Sequence, residues 1–269
     1  MTQAPNARNG TPVPRPRIAV VTVCLNDLPG LKRTFESLRM QTHLPQQWIV
    51  TDGASQDGTP NWLRGLDWTL LAWTSEPDGG IYDAMNKGLK RADADYVLFL
   101  NSGDVLATPD VLDVVSNTLA GRADQPSLLY GDCFEVDAGG CNHLRRARPA
   151  SWVPIGMPTC HQAMLFRTDA IKNGFDARYW LHADYAAVSA LYKRFHGQDF
   201  AYVQVPLCRF QLGGRSDQQV RVLLRESFEI RRRVLGMAAA PALTLHVLHS
   251  VHSLVKRYVP ILHRLVRYG

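Results

Sequence analysis

Three carboxylates in the first 104 residues stand just past apolar runs. Asp27 follows Ile18-Ala19-Val20-Val21-Thr22-Val23, Asp52 follows Trp48-Ile49-Val50-Thr51, and Asp104 follows Tyr96–Leu100. In Asn101-Ser102-Gly103-Asp104 a buried strand hands over a lone acid on a glycine-loosened turn. Such an acid can ligate a hard divalent cation through oxygen, with a diphosphate and waters completing the shell. It can equally cap the next helix or serve the turn, and this segment alone leaves both open. Two acid-rich stretches lie nearby: Thr51-Asp52-Gly53-Ala54-Ser55-Gln56-Asp57-Gly58-Thr59, and Glu76-Pro77-Asp78-Gly79-Gly80-Ile81-Tyr82-Asp83-Ala84-Met85-Asn86-Lys87-Gly88.

The elements that must carry these groups alternate. β-branched or continuous apolar runs at Arg17–Val23, Trp48–Thr51, Leu70–Trp73, Tyr96–Leu100 and Leu128–Tyr130 read as strands. Between them Leu31, Phe35 and Leu38, and then Ile81, Met85 and Leu89, recur at helical spacing. Thr108-Pro109 opens a further helix, with Thr as cap and Pro in the first turn. Strands alternating with helices predict an α/β layer with a mainly parallel sheet. In such sheets ligands lie beyond the carboxyl ends of the strands, where all three acids fall. After Gly139 the alternation weakens. Asn142–Trp152 reads as basic and irregular, Pro154, Gly156 and Pro158 as a shaped loop, and Tyr185, Val188, Tyr192 and Phe195 as one helix face.

The chain has 269 residues, 46 % hydrophobic and 20 % charged. That suits a globular protein and excludes collagen-like, disulfide-scaffold and wholly disordered classes. Five cysteines without a Cys-x-x-Cys pair argue against a zinc cluster or disulfide framework and for a reducing, cytoplasmic compartment. Residues 1–16 read as a disordered lead-in, not a secretory signal. The net charge of +6 is a property of the tail: from Arg221 onward there are nine basic and two acidic residues. A basic face on the main body is missing, which argues against nucleic acid as a partner. Val234–Val255 lacks Asp, Glu, Lys and Arg, yet Pro241 and three histidines speak against a membrane span. Leu243, Val247, Leu248, Val251, Leu254, Val255 and Tyr258 form a helical apolar stripe between Arg231-Arg232-Arg233 and Lys256-Arg257. Residues 217–269 therefore read as a basic amphipathic helical tail. It could lie in the plane of an anionic inner membrane leaflet, or pack on its own domain or a second subunit of a homo-oligomer.

Taken in order, the four segments ending in Asn26-Asp27, Asp52, Asn86-Lys87 and Asp104 resemble the nucleotide-diphospho-sugar half of the family 2 inverting glycosyltransferases. The likeness is to non-processive members of bacterial exopolysaccharide and lipopolysaccharide systems. It covers Ile18–Ser216 and implies a GT-A, Rossmann-like fold over residues 17–216, with a nucleotide-binding half at about 17–135 and an acceptor half at about 136–216. The resemblance implies nucleotide contacts for Thr22, Asn26, Asp52, Asp83, Asn86, Lys87, Asn101 and Ser102, with Asp52 on the uracil ring. It implies Asp104 as ligand of Mn2+ or Mg2+. Asp184, in Leu181-His182-Ala183-Asp184-Tyr185, matches the catalytic base; a cap on its own helix is the other role this position allows. His161 and Gln162 match a strand lining the donor-sugar and acceptor region, and Arg215 a loop closing over the diphosphate. The chain departs from the pattern at Thr51, Asn101 and Ala183, each in the place of a common acid.

The implied activity is inverting transfer of a sugar from a nucleotide-diphosphate donor, a UDP-sugar by the match of Asp52. The acceptor is a hydroxyl of a saccharide or lipid-linked saccharide in surface polysaccharide synthesis, with the enzyme peripheral on the membrane. A non-catalytic sugar-nucleotide-binding module is the alternative. The place of the Gly-rich, Arg-bearing loop of nucleotidyltransferases holds Cys24-Leu25-Asn26-Asp27-Leu28-Pro29, and the Gln-x-x-Arg-Trp signature of processive synthases is absent from the sequence.

Overall fold

The apolar runs that end in acids are neighbouring parallel strands. The computed structural model describes residues 14–213 and 219–258, with side chains as far as residue 255. Strands β1 (Ile18–Cys24), β2 (Gln47–Asp52), β3 (Leu71–Ser75) and β4 (Tyr96–Phe99) alternate with helices α1 (Leu28–Arg39), α2 (Thr59–Gly65) and α3 (Ile81–Leu89). They pair in parallel in the order β3-β2-β1-β4. Successive residues of β1 feed two cores, one on each face of the sheet. Ile18, Val20 and Cys24 pack with Leu31, Phe35 and Leu38 of α1. Ala19, Val21 and Val23 pack with Tyr82 and Met85 of α3. Helix α3 lies so close to the sheet that a Cβ on Gly88 would fall 2.4 Å from Val21 Cγ1. Glycine there lets the helix carrying Asp83 and Lys87 seat on the strands.

The second half extends the same sheet. It adds β5 (Val105–Leu106), α4 (Val111–Ala120), β6 (Leu128–Val136), β7 (Asn142–Arg145), β8 (Met164–Arg167), α5 (Ala183–Phe195) and β9 (Phe200–Gln211). The full order is β3-β2-β1-β4-β8-β6-β9-β5, with β7 on β6. Strand β8 is antiparallel to both neighbours, while β9 runs parallel to β6. Among the described residues six of the nine strands, β1–β4, β6 and β9, run in one direction, as expected, while four of the eight strand pairings are antiparallel and make the sheet mixed.

Several local expectations need correction. The helix expected to open at Thr108-Pro109 starts at Val111, because the Thr108 hydroxyl donates to Asp110 and the Pro109 carbonyl accepts from Thr42 N–H, making a turn first. The stretch taken as irregular begins with strand β7, whose backbone pairs Asn142–Arg145 with Cys133–Val136. Strand β9 was hidden by Pro206, which sits at a register shift where the missing N–H is tolerated. The 1–16 lead-in and Arg215 fall wholly or mostly outside the described residues.

Beyond the domain, α6 (Val220–Arg233) and α7 (Ala239–Tyr258) pack against each other. Helix α6 buries Glu226, Ser227, Ile230 and Arg231 against the domain, and Ile230 belongs to the core beneath α3 and α5. Helix α7 turns Ala242, His246 and His249 inward and leaves Leu243, Val247, Leu248, Val251 and Leu254 exposed. One face of α7 thus packs on its own chain, and the apolar stripe faces out.

Candidate active site

Parallel register delivers the first groups to one edge. Cys24 pairs with Asp52 and Asp52 with Ser75, while Ser102 N–H bonds to Val23 O at 3.0 Å. Asp52 is fully buried; one carboxylate oxygen accepts from Ser75 Oγ at 2.6 Å and Ser55 N–H at 3.0 Å. Its other oxygen, Oδ1, is buried with no partner among the described residues. A buried acceptor left open demands a donor, which an N–H of a ligand could supply. Asn26 adopts φ 51°, its Oδ1 accepts from Gln56 N–H at 2.8 Å, and it stays exposed beside this acid. Ser102 donates to Asp27 Oδ2 at 2.8 Å, tying the β1 and β4 ends together.

Antiparallel β8 explains how the second half reaches the same edge. Leu165 pairs with Leu98, so the residues that precede β8 lie where those after β4 leave the sheet. His161 and Gln162 therefore meet Asn101 and Asp104. Gln162 Nε2 donates to Asp104 Oδ2 at 2.8 Å, and Asn101 Nδ2 lies 3.1 Å from His161 Nε2. The other ring nitrogen, His161 Nδ1, lies 3.2 Å from Asp184 Oδ2. One neutral tautomer satisfies both contacts: Nδ1–H donates to the Asp184 carboxylate and Nε2 accepts from the Asn101 amide. The chain of bonds Asn101–His161–Asp184 thereby joins the sheet edge to the start of α5.

The two acids at the ends of this network differ. Burial is the main influence on Asp104 and pushes its carboxyl up to about 6, against the Gln162 hydrogen bond and the nearby His161. Burial also opposes ionisation of Asp184, but the His161 hydrogen bond, the His161 and His182 rings beside it and the Tyr185 N–H together hold it below the usual carboxylate range. Asp184 is thus ionised at neutral pH. It occupies the first turn of α5, whose cap position belongs to His182, and one oxygen accepts from the next residue's N–H at 2.7 Å. Oδ2 faces His161.

Asp104 and the buried, unpartnered Oδ1 of Asn101 are hard oxygen donors on one turn. This donor set fits Mg2+ or Mn2+ when diphosphate oxygens and water complete the shell. Among the described residues, no group of three or more His, Cys, Asp or Glu gathers to hold a metal unaided.

Other expected contacts have structural employment. Thr22 is fully buried and its Oγ1 accepts from Trp48 Nε1 at 2.9 Å, so this hydroxyl serves the core under the sheet and not the cleft. Asn86 spends both amide ends on the Phe175 backbone, at 2.7 and 2.8 Å. Asp83 accepts from Gly79 N–H at 2.9 Å, and Lys87 binds Glu76 at 3.0 Å and the Pro77 carbonyl at 2.8 Å, bracing the Asp78-Gly79-Gly80 loop. Sequence reasoning missed Ser75, which the rule of strand carboxyl ends would have found at the end of β3. It also missed Glu226, whose carboxylate accepts from the N–H groups of Trp180, Leu181 and His182; no sequence signal marks that contact.

The glycosyl transferase family 2 model matches residues 19–195. An uncharacterized glycosyltransferase of Mycobacterium tuberculosis is 35 % identical over 176 residues, 63 % of this chain and 66 % of that protein. The match thus spans just under two thirds of that relative. A PGL/p-HBAD biosynthesis glycosyltransferase of Mycobacterium bovis is 27 % identical over 179 residues, covering 63 % and 67 %. Among solved structures, Staphylococcus aureus TarS 1-349 in complex with UDP aligns with a TM-score of 0.62 at 14 % identity, covering 90 % of this chain and 72 % of that one. A Pyrobaculum calidifontis mannosyltransferase in complex with GDP-Man and Mn2+ aligns at 0.60 and 17 % identity, covering 95 % and 80 %. The fold is that of GT-A glycosyltransferases.

Proposed function

We propose that this chain, which belongs to glycosyl transferase family 2, transfers a sugar from a nucleotide-diphosphate donor to an acceptor hydroxyl with inversion. The observation that carries the reading is the bonded path from Asp104 and Asn101 at the sheet edge, through Gln162 and His161, to an ionised Asp184. In the proposed step Asp184 Oδ2 takes the acceptor proton as that oxygen attacks the anomeric carbon. The new C–O bond forms on the face opposite the departing diphosphate, whose C–O bond breaks. His161 orients the carboxylate through Nδ1–H. Asp52 Oδ1 accepts from the nucleobase, which suits the N–H of uracil and so a UDP-sugar. Asp104 and Asn101 Oδ1 would hold Mn2+ or Mg2+, which neutralises charge on the leaving diphosphate when bound.

The acceptor we favour is a saccharide or lipid-linked saccharide at an anionic membrane surface. The stripe Leu243, Val247, Leu248, Val251 and Leu254 along α7 is exposed, as are Arg232 and Arg233 at the end of α6. Apolar insertion flanked by basic residues suits anionic lipid. Among the described residues no helix is long and apolar enough to cross a membrane.

The test pairs calorimetry with turnover. UDP should bind more tightly with Mn2+ than without, and nucleoside diphosphate release from one of UDP-glucose, UDP-N-acetylglucosamine and GDP-mannose should depend on Asp184. Binding of UDP with no turnover of any donor on lipid-linked acceptors would favour the non-catalytic module. Full turnover by Asp184→Asn would remove the base.

A further inference from the structure

The family match ends at residue 195, yet the segment that leads into Asp184 is held from beyond it. Glu226 of α6 is buried, and its carboxylate collects three successive backbone donors. Oε1 accepts from Trp180 N–H at 2.8 Å, and Oε2 accepts from Leu181 N–H at 3.0 Å and His182 N–H at 2.9 Å. The neighbouring Ser227 gives its single O–H to Leu223 O at 2.7 Å, so its 2.9 Å contact with His182 is donated by the ring's Nδ1–H. From the opposite side Tyr82 O–H donates to Leu181 O at 2.9 Å. One turn further along α6, Arg231 donates from Nε to Pro154 O at 3.2 Å and from Nη2 to Ile155 O at 2.6 Å.

The buried face of α6 is therefore Glu, Ser, Ile and Arg, where an apolar face would attach a helix just as firmly. Burying a carboxylate and a guanidinium is costly unless hydrogen bonds compensate, and such bonds fix position as well as adhesion. Those of Glu226 converge on the three residues immediately before α5, the last of them two positions from Asp184. A 1 Å displacement of that segment would draw the Asp184 carboxylate off His161 and off the attacking hydroxyl.

We infer that Glu226 is a positioning residue of the transfer site: its carboxylate, on a helix outside the family domain, clamps Trp180–His182 and so sets where Asp184 stands. This rests on the reading of Asp184 as the base. The clamp assigns the C-terminal helices a part in the chemistry of the domain.

Glu226→Gln tests it with almost no change in volume. The amide keeps one acceptor and turns an N–H2 against a backbone N–H, so at least one of the three bonds is lost. The expected result is a fall in kcat of about tenfold or more, since small misplacements of reacting groups cost up to about 10²-fold. The KM for the nucleotide sugar and the calorimetric Kd for UDP should stay within about twofold, because Asp52 and Asp104 lie on other elements. Amide hydrogen exchange at Trp180, Leu181 and His182 should quicken while β1 and β4 keep their protection. Unchanged kcat, or UDP affinity falling in step with kcat, overturns the proposal. Should Glu226→Gln not fold, Ser227→Ala removes the His182 contact together with a bond inside α6 to Leu223 O and should give the same pattern in weaker form; wild-type kcat and exchange there overturn it as well. Asp184→Asn in the same assay separates the two readings. An inactive Asp184→Asn beside a fully active Glu226→Gln sinks the clamp alone, whereas an active Asp184→Asn sinks the base and the premise with it.

Discussion

The proposed donor edge and the proposed base segment are built differently. At the donor edge each group sits where its own strand stops, and parallel register aligns the stops: Asp52 beside Cys24 and Ser75, Ser102 beside Val23. Its supports are Ser55, Ser75 and Asp27, which come from the same repeated strand–helix units. The base segment has no such scaffold. Asp184 takes its orientation from His161, 23 residues earlier, and its approach from Glu226, 42 residues later. The donor edge is therefore a rigid product of the sheet, and the base is held by side chains converging from three elements. Binding and turnover should separate when one region is damaged and the other spared.

The widest separation is expected for Asp184→Asn. Loss of a positioned general base costs about 10² to 10⁴-fold in rate, so nucleoside diphosphate release should fall by that much while calorimetric UDP affinity stays as it was. An equal loss of affinity would mean the two regions are one.

Asp104→Asn should do the reverse at the donor edge, abolishing the gain in UDP affinity from Mn2+. It should also stabilise the metal-free protein. A carboxyl whose folded pKa is raised favours folding only while protonated, and that contribution is lost as pH rises through its folded value of about 6. Above that pH the ionised, buried group costs the fold on the order of 3 kcal/mol. The melting temperature of Asp104→Asn should therefore exceed that of the parent at pH 8 and approach it at pH 4.5. In the parent, Mn2+-dependent UDP binding should weaken below about pH 6 as Asp104 takes up its proton. A variant no more stable than the parent at pH 8 would refute the buried charge.

Gly88→Val probes the rigidity of the donor edge itself. The new side chain meets Val21 and Thr51, and overpacking of this kind costs about 1–3 kcal/mol. Urea denaturation should report that loss, with UDP affinity falling before kcat on bound donor does.

The smallest effect on the site is expected at the outer helix. Leu248→Glu together with Val251→Glu replaces two exposed apolar residues. It should reduce cosedimentation with phosphatidylglycerol vesicles by about tenfold or more, as burial of each such side chain is worth about 1.5–3 kcal/mol, and leave the melting temperature unchanged. Undiminished vesicle binding would point to a second copy of the chain as the partner of that stripe.

How much of this was legible in the sequence follows the same division. Apolar runs ended by acids marked β1, β2 and β4 because a strand buried on both faces needs no polar alternation, and its end must be polar where it meets solvent. Strand β9 was not legible: Pro206 and the polar residues around it break the pattern, and only pairing with β6 makes it a strand. Thr22 carried the right position and the wrong environment, since period two turned its hydroxyl toward Trp48. Asn86 had the polarity for a ligand and spent it on Phe175.

The basic, polar face of α6 gave no hint that Glu226 and Arg231 would be buried, because a carboxylate bonded to backbone N–H groups leaves no trace in side-chain spacing. The chain alone determined the alternating layer and the edge at which its acids gather, since those depend on short periods and on where each run stops. Tertiary structure decided which polar groups remained open for a ligand and what holds Asp184, because hydrogen bonds such as His161–Asp184, 23 residues apart, and Glu226–His182, 44 apart, depend on the path of the chain in space.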